Sequence, residues 1–479
     1  MNNSEKHTGT FNRKYPSYYK PDVPLIKDAH VVYINWDGFA RYYLDELIKI
    51  TQNKELPTLK KLMKEGIFFN NLRNTFPSIT NPVQNQILTG STSLITKNVY
   101  RYYDKETNRV IQQHRENNNP TIINQALEKN LSVVSIRHFL TEKDLTYTNP
   151  TKLYVEAETD SNAVKNRGDL KSGDFFSRFE SFDNLLRGRP LKTKEGKVTV
   201  KRMPSLTAIY MDDLDGLGHN FVDNYGYKKG ETEEDRMNNV MSSLVEMDEK
   251  LGDIIEVAKE KGIYDKLTFF LTTDHGMSPY GLKDPNEKAP YGQSKISNLK
   301  EAIKKINNNY NLEMVLANQS PKEDTTVVAV GANLNLQLTF KDGIEDEMLQ
   351  EIKKVLLKES YIGKIYTRQE LIDNAYDIKN TDMIITPKDR YFFNADPNVI
   401  YTARGQHDST LDTSNHIVGW IWGKGIKKNI VFNELAFNYD IGQTMAAALG
   451  LVIPNANGIV LDVFDIKEEN SNGLTSKFI

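Results

Sequence analysis

The segment that decides the fold is KLTFFLTTDHGM, residues 266–277. Its apolar and β-branched run, Leu267 to Thr273, predicts a buried strand. The run stops abruptly at the polar pair Asp274 and His275, which Gly276 follows. Between residues 233 and 261, apolar side chains recur with a period of about 3.6 residues, so we expect an amphipathic helix before the strand.

Three further segments share this strand pattern. They are VVYINW at residues 31–36, which runs into Asp37 and Gly38, LSVVSI at 131–136 and SLTAIYMDD at 205–213. Continuous apolar strands that alternate with amphipathic helices are typical of a parallel sheet covered on both faces. The sequence therefore predicts an α/β fold with a mostly parallel central sheet and helices on both faces. In such sheets, ligand sites lie beyond the carboxyl ends of the strands.

The pattern of the chain changes in its second half, where shorter strands and helices follow one another. This change predicts an α+β cap inserted into the core. We expect an N-terminal arm at residues 1–28, a first core part at 29–286, the cap at 287–394 and a second core part at 395–479.

The composition limits the possible functions. The 479 residues carry a net charge of −3 and no long basic run, which gives no reason to expect nucleic-acid binding. The absence of cysteine excludes disulfides and thiolate metal sites. Neither a signal peptide nor a transmembrane segment is recognisable, so a soluble protein is expected, either cytoplasmic or exported with its signal removed.

Acidic and histidine side chains follow candidate strands at four places. Taken singly, an Asp before Gly is more often a turn residue or a helix cap, and a lone His is usually a surface residue. Together they form two sets of N/O ligands that suit two zinc ions, with manganese or iron as alternatives. The sets are Asp37, Asp274 and His275 for one ion, and Asp215, His219 and His407 for the other.

A hydroxyl group that such metals could activate lies in FPSITNPVQNQILTG, residues 76–90. Ser78 and Thr80 stand at the start of an apparent helix. A hydroxyl in this position is usually only a helix cap. It also suits covalent catalysis, because a phosphate at a helix N-terminus meets unpaired N–H groups and a favourable dipole.

The motifs DGF, FPSIT-NP…LTG, DxxGH, TTDHGM and GQH occur here in the order and rough spacing of the alkaline phosphatase superfamily. The chain most resembles the type I phosphodiesterase/nucleotide pyrophosphatase branch, over residues 29–285 and 395–465. The resemblance implies an alkaline-phosphatase-like fold, two zinc ions and a hydrolase that forms a phosphothreonine intermediate.

The resemblance also implies roles for individual residues. Thr80 resembles the nucleophile and a ligand of the zinc held by Asp37, Asp274 and His275, whereas Ser78 matches less well. The set of Asp215, His219 and His407 matches the second zinc, which polarises the phosphate and later delivers water. His416 resembles a structural histidine near the site.

One part of the family pattern is missing. The branch usually has HGI…N after the nucleophile helix, with the Asn on a phosphate oxygen, and this chain has LITKNVYRYYD. Asn98 lies too early for a simple match, whereas Arg101 and Tyr102 fall near the expected place. Arg101 is a candidate phosphate ligand because guanidinium binds phosphate bidentately, although a solvated surface charge is an equal alternative.

We therefore expect a phosphodiesterase or nucleotide pyrophosphatase that acts on nucleotide, lipid or sugar esters, with the cap lining the leaving-group pocket. A phosphomonoesterase with the same dinuclear site is the nearest alternative. A sulfatase fits less well, because SITNPVQ lacks the modification motif of those enzymes. A non-catalytic binding module on this fold is the most distant alternative.

Overall fold

A computed structural model describes residues 13–50, 55–157, 174–281, 293–331, 333–394 and 403–466. The strands are β1 His30–Trp36, β2 Gly66–Phe69, β3 Leu72–Arg73, β4 Arg101–Asp104, β5 Arg109–Gln112, β6 Val133–Ile136, β7 Lys152–Val155, β8 Leu191–Thr193, β9 Gly196–Val198, β10 Leu206–Met211, β11 Leu267–Thr272, β12 Ser278–Tyr280, β13 Gln293–Lys295, β14 Leu312–Met314, β15 Val327–Gly331, β16 Leu336–Phe340, β17 Ile362–Thr367, β18 Met383–Pro387, β19 Phe392–Asn394, β20 Arg404–Gln406, β21 His416–Ile417, β22 Gly419–Gly423, β23 Ile430–Phe432 and β24 Ala436–Phe437.

The α-helices are α1 Arg41–Ile50, α2 Pro57–Glu65, α3 Thr80–Thr89, α4 Ser93–Thr96, α5 Ile122–Glu128, α6 Asp174–Leu186, α7 Asp213–His219, α8 Glu233–Glu260, α9 Ile296–Ile306, α10 Asp346–Leu356, α11 Arg368–Asp373, α12 Asp412–Asn415 and α13 Asn438–Ala448. Short 3-10 helices span Phe139–Asp144 and Tyr264–Lys266.

The main sheet has eight strands in the order β23-β2-β22-β11-β1-β10-β6-β7. The five strands from β11 to β7 run parallel to one another. Only β22 is antiparallel to its two neighbours, β11 and β2. The predicted α/β fold with a mostly parallel sheet is therefore confirmed, and each of the four predicted strands is found.

The sheet is buried on both faces because its strands are apolar on both sides. On β1, Val32, Ile34 and Trp36 belong to the hydrophobic core that includes α2, α6 and α8. Val31 and Tyr33 point the other way, into the core that includes α3, α5 and α13. Helix α8 is the predicted amphipathic helix, and its apolar stripe is buried against the first of these cores.

A second, five-stranded sheet has the order β14-β15-β16-β18-β17 and packs with α9 and α10 around its own hydrophobic core. These elements lie within the segment predicted as the cap. The predicted boundary at 286/287 lies outside the described residues, and the boundary at 394/395 coincides with the start of another such stretch. Both boundaries, and the four-part division, stay predictions.

The described part of the N-terminal arm contacts the C-terminal part of the chain. Arg13 forms an ion pair with Asp440, which is buried on α13. The Tyr18 hydroxyl donates a hydrogen bond to an Asp462 carboxylate oxygen at 2.7 Å. Residues 1–12 of the predicted arm lie outside the described residues.

Helices α3 and α13 cross at a very short distance, which requires a glycine. A Cβ atom built on Gly442 would lie 1.8 Å from the carbonyl oxygen of Ile87. Because that oxygen belongs to the backbone, a side chain at Gly442 would have to move one helix. The contact therefore fixes the position of α3 against the core.

We expect Gly442→Ala to destabilise the protein by about 1–3 kcal/mol, the usual cost of overpacking, despite the better helix propensity of Ala. Urea unfolding measures this change. A Gly442→Ala protein that unfolds at the wild-type urea midpoint would contradict the proposed clash.

Candidate metal centre

Five of the predicted ligands lie at the carboxyl ends of neighbouring strands. Asp37 follows β1, and Asp274 and His275 follow β11 closely. Asp215 and His219 lie on α7, which begins just after β10, and their spacing of four residues places them on one face of the helix. Because β11, β1 and β10 are adjacent and parallel, their ends bring these side chains to one edge of the sheet.

The first predicted set is close-packed and buried. His275 Nε2 lies 3.2 Å from Asp37 Oδ1 and 3.5 Å from Asp274 Oδ2. All three residues are at most 1% exposed. Their potential ligand atoms lie within 4.8 Å of one another, so a single metal ion could contact all three.

The second predicted set meets at one carboxylate oxygen. His219 Nε2 lies 3.4 Å from Asp215 Oδ1, and His407 Nε2 lies 3.6 Å from the same oxygen. The His407 ring stacks on the His275 ring with a centroid distance of 3.5 Å, so the two sets adjoin. A second close group of ligand atoms joins Asp215 and His407 to His275 rather than to His219.

Each of the three histidines presents a lone pair to this centre. Their Nδ1 atoms contact backbone carbonyl oxygens, which only accept hydrogen bonds, so Nδ1 carries a proton and, in the neutral imidazole, Nε2 bears the lone pair. The pairs are His275 with Gly276 at 2.9 Å, His219 with Gly405 at 2.9 Å and His407 with Ser78 at 2.6 Å.

The carboxylates add further acceptors without donors. Asp37 Oδ1, Asp215 Oδ1 and Asp274 Oδ2 are buried and have no hydrogen-bond partner among the described residues. Buried acceptors that face one another are unfavourable unless a positive charge compensates them. These carboxylate and imidazole groups, with no sulfur among them, are therefore suitable ligands for divalent metal ions, including zinc.

The pKa values report the same environment in the absence of a metal ion. Burial, with the charges of Asp274 and Asp215, raises the pKa of Asp37 well above its ordinary value. Burial also raises the pKa of Asp215 to about 6. It lowers the pKa of His275 to about 3 and that of His407 well below its ordinary value, so both imidazoles are neutral at pH 7.

Of the two candidate nucleophiles, Thr80 faces the centre. It is the first residue of α3 and follows the N-cap residue Ile79. Thr80 Oγ1 lies 3.0 Å from His275 Nε2. Ser78 is fully buried, accepts a hydrogen bond from Asn74 at 2.8 Å and donates to the Ser414 carbonyl at 3.4 Å. The role of Thr80 stays a prediction that this placement favours.

The two candidate phosphate ligands have other contacts. The Asn98 amide donates to the carbonyl oxygens of His114 and Glu116 at 3.2 and 2.9 Å, and its oxygen accepts from the Tyr100 amide. Arg101 starts β4, where its Cζ lies 4.8 Å from the Tyr100 ring centroid and its Nε donates to Gln112. Both assignments stay predictions, and the contacts of Asn98 do not favour its assignment.

Tyr210 lies at the centre but was not predicted from the sequence. The hydroxyl of Tyr210, on β10, donates a hydrogen bond to Asp37 Oδ2 and thus orients that carboxylate. A tyrosine in an otherwise apolar strand is the only sequence signal for it. His416, predicted as structural, donates a hydrogen bond from its Nε2 to the Asn70 carbonyl oxygen at 3.0 Å and belongs to neither ligand set.

The fold and the site together define an alkaline-phosphatase-like α/β protein with two candidate metal-binding groups. Residues 31–410 match the family model of type I phosphodiesterase / nucleotide pyrophosphatase. The chain therefore belongs to this family. Among the described residues, no helix is both long and apolar enough to cross a membrane.

Curated relatives include the bis(5'-adenosyl)-triphosphatase ENPP4 of Bos taurus, 24% identical over 257 residues, and that of Mus musculus, 24% identical over 272 residues. The alignments cover 51% and 54% of this chain and 47% and 50% of the relatives. The matched part thus spans about half the length of these relatives.

Solved structures show the same fold. Murine ectonucleotide pyrophosphatase / phosphodiesterase 5 aligns with a TM-score of 0.60 and 15% identity, over 90% of this chain and 97% of that one. An inactive variant of it in complex with AMP gives a TM-score of 0.61 with the same identity and coverage. The human protein gives 0.56 at 16% identity, again over 90% and 97% of the two chains.

We expect His275→Ala to lower the content of bound divalent metal, because His275 adjoins both ligand sets. Elemental analysis of protein purified with zinc and dialysed against a weak chelator measures this content. The matched control, His416→Ala, removes an imidazole that hydrogen-bonds to the Asn70 carbonyl and belongs to neither ligand set, so this variant should keep the full content. Equal metal content in both variants would contradict the assignment.

Proposed function

We propose that this protein hydrolyses nucleotide phosphodiester or pyrophosphate bonds and that Thr80 is the nucleophile. Two divalent metal ions, for which zinc fits the ligands best, would bind in the candidate metal centre. The observation that carries the proposal is the position of Thr80 Oγ1, 3.0 Å from His275 Nε2 and beside buried carboxylate oxygens without donors. Membership of the phosphodiesterase family supports the same reaction.

In this proposal, Asp37, Asp274 and His275 hold one ion, with Thr80 as a further ligand. Asp215, His219 and His407 hold the other ion. When bound, the two ions would favour the alkoxide form of the threonine hydroxyl and neutralise negative charge on the phosphate oxygens.

Thr80 supplies the nucleophile. Its Oγ loses its proton and forms a bond to phosphorus while the bond from phosphorus to the leaving oxygen breaks, which gives a phosphothreonine intermediate that still carries the nucleoside ester. Water then attacks that intermediate, its oxygen stays on phosphorus, one of its protons restores the Thr80 hydroxyl, and the nucleoside monophosphate is released. The first turn of α3 contributes unpaired N–H groups, of Thr80 and Asn81, and the positive end of the helix dipole to the bound phosphate.

An open cleft of about 570 Å³ adjoins the nucleophile and is a candidate pocket for the nucleoside. It is lined by Asn81, His114, Arg115, Glu116 and Phe139. The Arg115 guanidinium, which pairs with Glu142 at 3.2 Å, lies 5.5 Å from the Phe139 ring centroid, so the cleft contains an aromatic ring beside a guanidinium. AMP in the structure of a murine relative, and the adenosyl substrate in the name of ENPP4, support a nucleotide substrate.

Replacing the nucleophile tests the reaction. We expect Thr80→Ala to lower kcat for bis(p-nitrophenyl) phosphate by on the order of 10⁴-fold, as removal of a catalytic nucleophile does elsewhere. Ser78→Ala serves as the control and should keep most of the activity. A fully active Thr80→Ala protein would exclude the proposed nucleophile. Faster hydrolysis of p-nitrophenyl phosphate than of the diester would instead favour a phosphomonoesterase.

The proposed pocket makes a separate prediction. Loss of a stacked base costs about 1–3 kcal/mol, so Phe139→Ala should raise KM for p-nitrophenyl thymidine 5′-monophosphate by about 5- to 150-fold. The kcat should change less than KM, because Phe139 belongs to neither ligand set and is linked to Asp37 through the Tyr210 ring, at a centroid distance of 5.2 Å. Phe432→Ala, on the edge strand β23, is the control. An unchanged KM for Phe139→Ala would rule out this cleft as the nucleoside site.

A further inference from the structure

A row of polar side chains is buried beneath the helix that begins with Thr80. The Asn35 amide donates to the Tyr33 hydroxyl at 3.0 Å, and the Gln84 amide donates to Asn35 Oδ1 at 2.9 Å. His138 Nε2 donates to Gln84 Oε1 at 3.2 Å. Each of these four side chains is at most 1% exposed. Burial lowers the pKa of His138 to about 4, so the row is uncharged at pH 7.

The surroundings make this row unusual. It lies in the hydrophobic core between the sheet and α3, where Val31, Val83 and Ile87 are also buried. A buried amide that loses its partner is strongly unfavourable, whereas an apolar pair of similar shape would be stable in many relative positions. The amide pair therefore permits only the arrangement in which the hydrogen bonds of Gln84 and Asn35 are satisfied.

The amides of Asn35 and Gln84 lie on the same elements as two residues of the proposed active site, Asp37 and Thr80. Asn35 precedes Asp37 by two residues, so both point to the same face of β1, and the Asp37 amide still pairs with Met211 at 2.8 Å. Gln84 follows Thr80 by four residues, so both lie on one face of α3. The hydrogen bond between Gln84 and Asn35 thus joins α3 to β1 at positions one helical turn after Thr80 and two residues before Asp37.

We propose that Gln84 and Asn35 are positioning residues that set α3 against β1 and thereby hold Thr80 Oγ1 beside His275 and Asp37. This inference rests on the proposed function of Thr80. His138 extends the same network to the wall of the cleft, because the next residue is Phe139, whose ring stacks with that of His138 at a centroid distance of 6.0 Å. Neither amide touches the reacting atoms.

The first test is Gln84→Met, which keeps the length of the side chain and removes its hydrogen bonds. We expect kcat for bis(p-nitrophenyl) phosphate to fall about 10- to 100-fold, since small displacements of a reacting atom cost this much. KM and the bound metal content should stay unchanged. The control is Ile87→Val on the same helix, which removes apolar contact only and should lower the urea midpoint without lowering kcat.

The second test exchanges the two amides. Gln84→Asn alone shortens the reach of the helix by one methylene, and Asn35→Gln alone lengthens that of the strand. The double variant N35Q/Q84N keeps the combined length, so kcat should recover at least tenfold over the weaker single variant. Amide hydrogen exchange of the metal-free protein should be faster around residues 75–85 in Gln84→Met and slower again in the double variant.

The outcomes separate this inference from the proposed function. Wild-type activity that depends on Thr80, together with an unchanged kcat in Gln84→Met, would overturn the positioning role alone. A double variant that is no better than the worse single variant would also overturn it. Full activity of Thr80→Ala would contradict the proposed function itself, whatever the amide variants do.

Discussion

The structure depends on one unfavourable arrangement, in which buried hydrogen-bond acceptors face one another without donors. One carboxylate oxygen each of Asp37, Asp215 and Asp274 has no partner among the described residues, and the Nε2 atoms of three histidines lie close to these carboxylates. Backbone carbonyls fix each histidine in this state by accepting from Nδ1. Such a cluster persists only where the surrounding fold holds it or where cations compensate it.

The parallel sheet supplies the necessary rigidity. Strands β11, β1 and β10 are buried on both faces, and their carboxyl ends deliver the acidic residues to one edge. Helix α3 then brings Thr80 to that edge. Its position is fixed from one side by the close contact of Gly442 with Ile87, and from the sheet by the buried bond between Gln84 and Asn35. Helix α3 therefore carries both the proposed nucleophile and the buried contacts that fix its position.

The sequence was sufficient to predict four adjacent parallel strands of the central sheet and the acidic and histidine residues that lie together at its edge. Strand interiors such as Leu267 to Thr272 are continuously apolar, and a polar residue directly after such a strand is conspicuous. The contacts of Tyr210 and Gln84 were not predictable, because each pairs with a residue far away in the chain, at 173 and 49 positions respectively. Asn98 was a candidate phosphate ligand from its place in the motif. The sequence did not indicate that its side-chain amide donates to the carbonyl oxygens of His114 and Glu116.

The most direct measurement of the central claim is anomalous X-ray scattering from crystals grown with zinc. We expect two strong peaks, one within bonding distance of Asp37, Asp274, His275 and Thr80, and the other beside Asp215, His219 and His407. Crystals of active protein with no anomalous peak among these side chains would contradict the claim that the acceptor cluster binds metal ions.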